Sequence, residues 1–272
     1  MARIPPQVNA FLLCDRVIQQ AGTHKWCAIG TQDVALVPAL PAPISLGVFL
    51  SLGDVPSGTR PQIVLRSPHG EPLLQAEAQP QYHAGDARGI VGLELGMQLP
   101  LLPFADSGAY RIELVIERKV IAHRELRVVE GERWEREPEQ GPCTLRSLVL
   151  CDQAFQHHGR SSWSLIGIFD ALHVQALPAR HAPFVVFWSL AGFRGDATVV
   201  ATVRDNEGGV VYALRAHIPR LPGDTVEVAF PFPPLDLQRS GSHTVELHVG
   251  EQLVGMRSFH VFLSAPTQRL PI

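Results

Sequence analysis

The chain writes one stretch twice, and that repetition limits its possible folds more than any other feature. Residues 12–33 read LLCDRVIQQAGTHKWCAIGTQD, and residues 150–170 read LCDQAFQHHGRSSWSLIGIFD. Cys14, Asp15, Gly22, Trp26, Ile29, Gly30, Asp33 and Pro41 return as Cys151, Asp152, Gly159, Trp163, Ile166, Gly167, Asp170 and Pro178, always 137 residues on. That spacing is one ordinary domain length, so a chain of 272 residues reads as two copies of one domain. The copies fall at 1–129 and 143–272, separated by a charged linker at 130–142.

Hydrophobic spacing decides what the repeated unit is. Apolar runs at 8–17, 25–30, 34–37, 46–52, 62–66, 73–78 and 90–99 are each of strand length, are separated by Pro, Gly and polar turns, and hold no helical period. The 23 Gly and 23 Pro favour many turns over long helices. At the end of the first copy, RIELVIE puts Ile112, Leu114 and Ile116 on one face with Arg111, Glu113 and Glu117 outward. A tight turn at Arg118 and Lys119 then leads into VIAHRELRVV. The second copy ends in the same way, with TVELHV, a turn at Gly250 and Glu251, and LVGMRSFHVF. Between these ends, 186–190 matches 48–52, and the strand-and-turn RDNEG at 204–208 matches RSPHG at 66–70. The fold class is all-β: two tandem immunoglobulin-like antiparallel sandwiches related by internal duplication.

Two further features carry a resemblance. Asp106-Ser107-Gly108-Ala109-Tyr110 resembles the tyrosine corner of immunoglobulin-like sandwiches, in which a Tyr near the penultimate strand bonds back to nearby backbone. His243 stands at that place in the second copy. The recurring apolar-x-Leu-Cys-Asp, Gly, Ile-Gly-Ile-Phe-Asp and Pro series is also similar to an uncharacterised bacterial family of small β-sandwich domains. The second copy is the closer match, with Ile168-Phe169-Asp170 where the first has Thr31-Gln32-Asp33. The resemblance implies a fold and transfers no catalytic residue.

Charge and cysteine usage narrow the partners. A net charge of −3, with lysine only at Lys25 and Lys119 and arginine scattered, gives no basic face for nucleic acid. No segment approaches the ~20 apolar residues of a membrane span. The short run ending at Cys14 looks like a lipoprotein cleavage site, but the second copy ends the same run at Cys151 in mid-chain, so it reads as strand. A cytoplasmic location with reduced thiols is the expectation. Cys14 and Cys27 are placed to face each other across the first hairpin, although Ser164 replaces Cys27 in the second copy.

Candidate chemistry is sparse. Cys14 and Cys151 each precede an Asp, which raises a thiol pKa instead of activating it, so both read as core residues. Each Asp reads as a strand end that accepts backbone N–H bonds in the turn. Trp26 and Trp163 read as core plugs, with a sugar-stacking platform as the alternative. His157, His158, His173 and His181 form the densest histidine set, without metal-ligand spacing; His157 and His158, neighbours expected on a strand, would point to opposite faces, and Asp86 stands alone in its loop, too little for a calcium cage. The expected protein is a non-enzymatic bacterial interaction or scaffold module that needs no cofactor or metal and has protein as its partner. Carbohydrate binding comes second, and a hydrolase or metal enzyme third. Trp134 in the linker, with His157 and His158 where the copies differ, are the candidate interaction residues.

Overall fold

The computed structural model describes residues 6–56, 58–82, 90–131, 143–158, 162–193, 195–219 and 225–263. All regular elements among the described residues are β-strands. By compactness the chain divides into one unit of Met1–Glu137 with Ala154–Gly167 and a second of Pro138–Gln153 with Ile168–Ile272.

The first copy supplies β1 (Gln7–Gln19), β2 (Trp26–Thr31), β3 (Val34–Val37), β4 (Ala42–Ile44), β5 (Gly47–Pro56), β6 (Gln62–Arg66), β7 (Pro72–Glu77), β8 (Gln81–Tyr82), β9 (Ile90–Gln98), β10 (Leu102–Phe104), β11 (Gly108–Ile116) and β12 (Lys119–Glu130). One sheet of the first unit runs β2-β1-β5-β9-β8 and the other β3-β12-β11-β6-β7, with β3 parallel to β12. Their facing side chains make the core: Phe11, Leu13, Val48 and Leu50 from one sheet meet Ile63, Leu65, Ile112, Leu114 and Leu126 from the other. The alternation of β11 delivers Tyr110, Ile112, Leu114 and Ile116 inward, as its sequence requires. In β1, by contrast, Ala10 to Cys14 are all buried. A strand covered on both faces reads as a continuous apolar run, which is why this segment lacks alternation.

The second copy supplies β13 (Thr144–Gln156), β14 (Trp163–Ile168), β15 (Ala171–Val174), β16 (Ala179–His181), β17 (Phe184–Ala191), β18 (Ala197–Arg204), β19 (Val210–Ile218), β20 (Val226–Phe232), β21 (Leu235–Leu237), β22 (Gly241–Val249) and β23 (Gln252–Leu263). The order β13-β17-β20 in one sheet faces β15-β23-β22-β18-β19 in the other, with β15 parallel to β23; β14 lies next to β13 and, within the first unit, next to β2, so neither β2 nor β13 is an edge. Leu148, Val186, Trp188, Ala201, Leu247 and Phe259 fill the space between them. The plan of the first copy is therefore repeated, except that the two-residue β8 has no counterpart among the described residues. Leu40–Pro41 and Leu177–Pro178, at matching places, are both cis.

Four local expectations are corrected. The β11–β12 turn lies at Glu117 and Arg118, both at positive φ, and Lys119 already belongs to β12. Asp15 does not end its strand, because β1 continues to Gln19. Cys14 and Cys27 do not face each other: the register sets Cys14 opposite Thr31 and Cys27 opposite Ile18, and all four cysteines are free. His157 and His158 lie just beyond β13 and not on a strand. The short ladders β4–β10 and β16–β21 had no sequence signal, since three residues are too few to show a period. Among the described residues no helix is long and apolar enough to cross a membrane.

Candidate functional site

Each copy is fastened by polar groups at fixed points of the sandwich, and these define what remains free for function. At the start of β11 the Tyr110 hydroxyl donates to the Asp106 carbonyl at 3.0 Å and accepts the Asp106 N–H at 3.1 Å, a complete tyrosine corner. In the second copy His243 is equally buried but its Nδ1 lies 3.2 Å from the Gly241 carbonyl, and its ring packs on Phe259 at 5.3 Å. The corner thus survives as a buried, hydrogen-bonded ring in altered form.

A second brace repeats with its geometry intact. Arg66 Nε donates to Glu113 at 2.9 Å and its Nη1 to the Gly70 carbonyl at 3.1 Å. Arg204 does the same to Glu246 and Gly208, at the same distances. A third was missed from the sequence. Arg124 reaches Asp33 at 3.1 Å from a nearly buried position, and Arg257, fully buried, donates to the carbonyls of Leu148 and Phe169 at 2.9 and 3.3 Å. A signal for both was available: Arg124 has the parity of the inward Leu126 and Val128, and Arg257 that of Phe259 and Val261.

The residues singled out for chemistry separate. Cys14 is buried, its Sγ 3.5 Å from the Gly47 carbonyl, and its pKa is pushed up to about 12 by burial and then by the Asp15 charge. It is a packing residue held as the neutral thiol. Trp26 and Trp163 are half-buried, neither full core plugs nor open platforms. The Trp26 ring covers Gly96 so closely that a Cβ there would overlap it. Its indole N–H is buried without a hydrogen-bond partner among the described residues. His181 packs between Phe169 and Phe184, and no group of three metal-ligating side chains occurs among the described residues. Trp134 and Asp86, with linker residues 132–142, lie outside the described residues.

His157 does find a polar partner. In the first unit, where residues 154–167 are grouped with the first copy, His157 Nε2 lies 2.7 Å from Ser164 Oγ. That oxygen also accepts the Gly30 N–H at 3.3 Å, and Thr31 Oγ1 accepts the Trp163 N–H at 2.9 Å. The separation suits a nucleophile and its base, but Ser164 is only 7% exposed. The arrangement braces a hairpin and offers little to a substrate. In the first copy the same two positions are Gln20 and a buried Cys27.

The copies diverge on one outer side as well as inside. On the outer side of β15 and β23, Phe262 stacks between His173 at 5.3 Å and His260 at 5.6 Å, with rings 24° and 16° from parallel. The corresponding first-copy residues on β3 and β12 are Leu36, Val129 and Arg127. Leu36, Met256 and Leu263 are large apolar side chains left in solvent on these strands.

A family model described as "Family of unknown function (DUF6941)" matches residues 9–129 and again 146–262. Curated proteins give no match. Among solved structures the chain is similar to dimeric latent PorU from Porphyromonas gingivalis, with 13% identity, a TM-score of 0.31, and coverage of 97% of this chain and 21% of that one. It is also similar to an immunoglobulin-like protein from Pseudomonas aeruginosa, with 14% identity, a TM-score of 0.24, and coverage of 46% and 95%. A β-glucuronidase from Parabacteroides merdae follows at 10% identity and a TM-score of 0.28, covering 94% and 35%. The chain spans about a fifth of the length of the first of these and about a third of the last.

Proposed function

The chain belongs to the family of unknown function DUF6941, carrying its domain twice, and from that footing we propose a non-enzymatic interaction or scaffold module of the bacterial cytoplasm whose partner is protein. The observation that carries this reading is the pattern of divergence between the copies. The braces recur: the Arg66–Glu113 pair as Arg204–Glu246, and the buried Arg124 as Arg257. The outer side of β3 and β12 does not: Leu36, Val129 and Arg127 give way to His173, Phe262 and His260. A duplicated scaffold that keeps its braces while this outer side changes presents two different contact surfaces on one chain. Apolar side chains exposed on those outer strands suit protein contact.

The carbohydrate reading called for an exposed aromatic platform at matching places in both copies. Half-buried Trp26 and Trp163, with the Trp26 ring laid over Gly96, supply it poorly. The interaction reading is tested by co-purification of the tagged full chain from its native cells. It predicts a specific partner whose recovery falls when Met256→Glu and Leu36→Glu change the outer faces. Recovery of no partner beyond the untagged control contradicts it.

A further inference from the structure

Building on the interaction reading, we propose that β19 is the seam of a homodimer, in which two copies of the chain pair antiparallel through this strand and join their five-stranded sheets edge to edge. The strand stands at the end of its sheet, hydrogen-bonded to β18 alone. A sheet edge carries unpaired N–H and C=O groups that recruit another strand, and proteins usually blunt it by shortness, proline or charge.

The other edges are blunted in these ways. β8 has two residues, β3 and β15 have four each, β7 has six and opens on Pro72, and β20 contains Pro231. β7 also ends on Glu77, paired with Arg60. β19 has nine residues, VVYALRAHI, with no proline or acid and with Arg215 as its one always-charged side chain. The duplication therefore kept a protected edge in one copy and left its counterpart open in the other.

The inward side of β19 is incompletely covered. Tyr212, Leu214 and Ala216 face the core opposite Val203, Ala201 and Val199, which are fully buried, yet the three remain half-buried. Tyr212 is held edge-on by Phe232 at 5.5 Å and stays half-buried. A strand added beyond β19 covers these side chains and satisfies the edge.

Self-pairing is favoured by the sequence read against itself. About a two-fold axis at Leu214, Tyr212 meets the partner strand's Ala216 inside, large against small, and Ala213 meets Arg215 outside. The register one step along, centred on Arg215, sets the two guanidinium groups opposite each other. Like charges directly opposed are unfavourable, so charge disfavours that register, and the Leu214 register avoids the opposition. The contact is isologous and closes on itself, giving a dimer and not a filament.

Ala213 is exposed, so its replacement leaves the core intact. The test is sedimentation of the full chain from about 1 to about 100 µM, the span of modest association constants. The seam predicts a concentration-dependent dimer. Ala213→Arg, set against Arg215 at both ends of the axis, weakens it by about fivefold or more, and Ala213→Glu tightens it by a similar factor. Circular dichroism confirms that both variants keep their β content. A chain that stays monomeric over the range overturns the seam, as does a dimer that the two variants leave unchanged or weaken alike. A monomer that still retains a specific partner in co-purification removes the seam and leaves the interaction reading standing.

Discussion

At the residue scale, the Cys14-Asp15 pair shows how a sequence that looks reactive becomes inert. Burial and the neighbouring carboxylate hold the thiol neutral up to a pKa of about 12, against an ordinary value of 9.0. Below pH 9 the thiol is neutral in both folded and unfolded chains, and the contribution to stability is fully present. Between pH 9 and about 12 the unfolded chain ionises and the folded chain does not, so stability falls as pH rises, by at most about 1.4 kcal/mol per pH unit. Cys14→Ala is expected to be less stable at pH 7 and to lose less stability than the parent between pH 8 and pH 10.5 in urea unfolding. Equal losses in parent and variant would contradict this assignment. The pair was legible as core because an acid beside a thiol opposes thiolate formation. The partner of Cys27 was misjudged because register, set by hydrogen bonding between strands, is not written in one strand's composition.

At the element scale, the opening hairpin depends on glycine for two separable reasons. Gly22 has φ +84° with open space where a Cβ would stand. Gly30 has φ +66° and a Cβ there would run into the Asp15 carboxylate. Alanine at either position incurs the left-handed penalty of about 1–2 kcal/mol, and at Gly30 the displacement of Asp15 is added. Gly30→Ala should therefore lower the unfolding midpoint clearly more than Gly22→Ala, and equal shifts would show that Asp15 yields freely. Elements were legible wherever strands alternate or turns carry glycine, as in β11 and at Gly250. The buried arginines escaped because a charged residue in an alternating strand reads as outward. Arg257 reverses that by giving its donors to carbonyls inside the sandwich, which lets a charge lie at a core position. His157 drew notice as a difference between copies, and its hydrogen bond to Ser164 came into view only when the hairpin brought the two together.

At the scale of the whole molecule, the duplication set the architecture before any strand was placed, because a motif returning after one domain length has to be a domain. What the second copy is for lies in exposed positions that periodicity treats as interchangeable, such as His173, Phe262 and His260 against Leu36, Val129 and Arg127. Those faces are not constrained by packing, so only the folded chain shows which side chains share a surface. The account is tested most directly by photo-crosslinking in native cells, with a photoreactive residue placed in turn at Leu36, Met256, His260 and Val210, and at the outward turn residue Glu251 as control. It predicts discrete protein adducts from the outer-face and edge positions and none from the turn. Absence of adducts at all four positions, or the same smear of adducts from every position including the control, would contradict it.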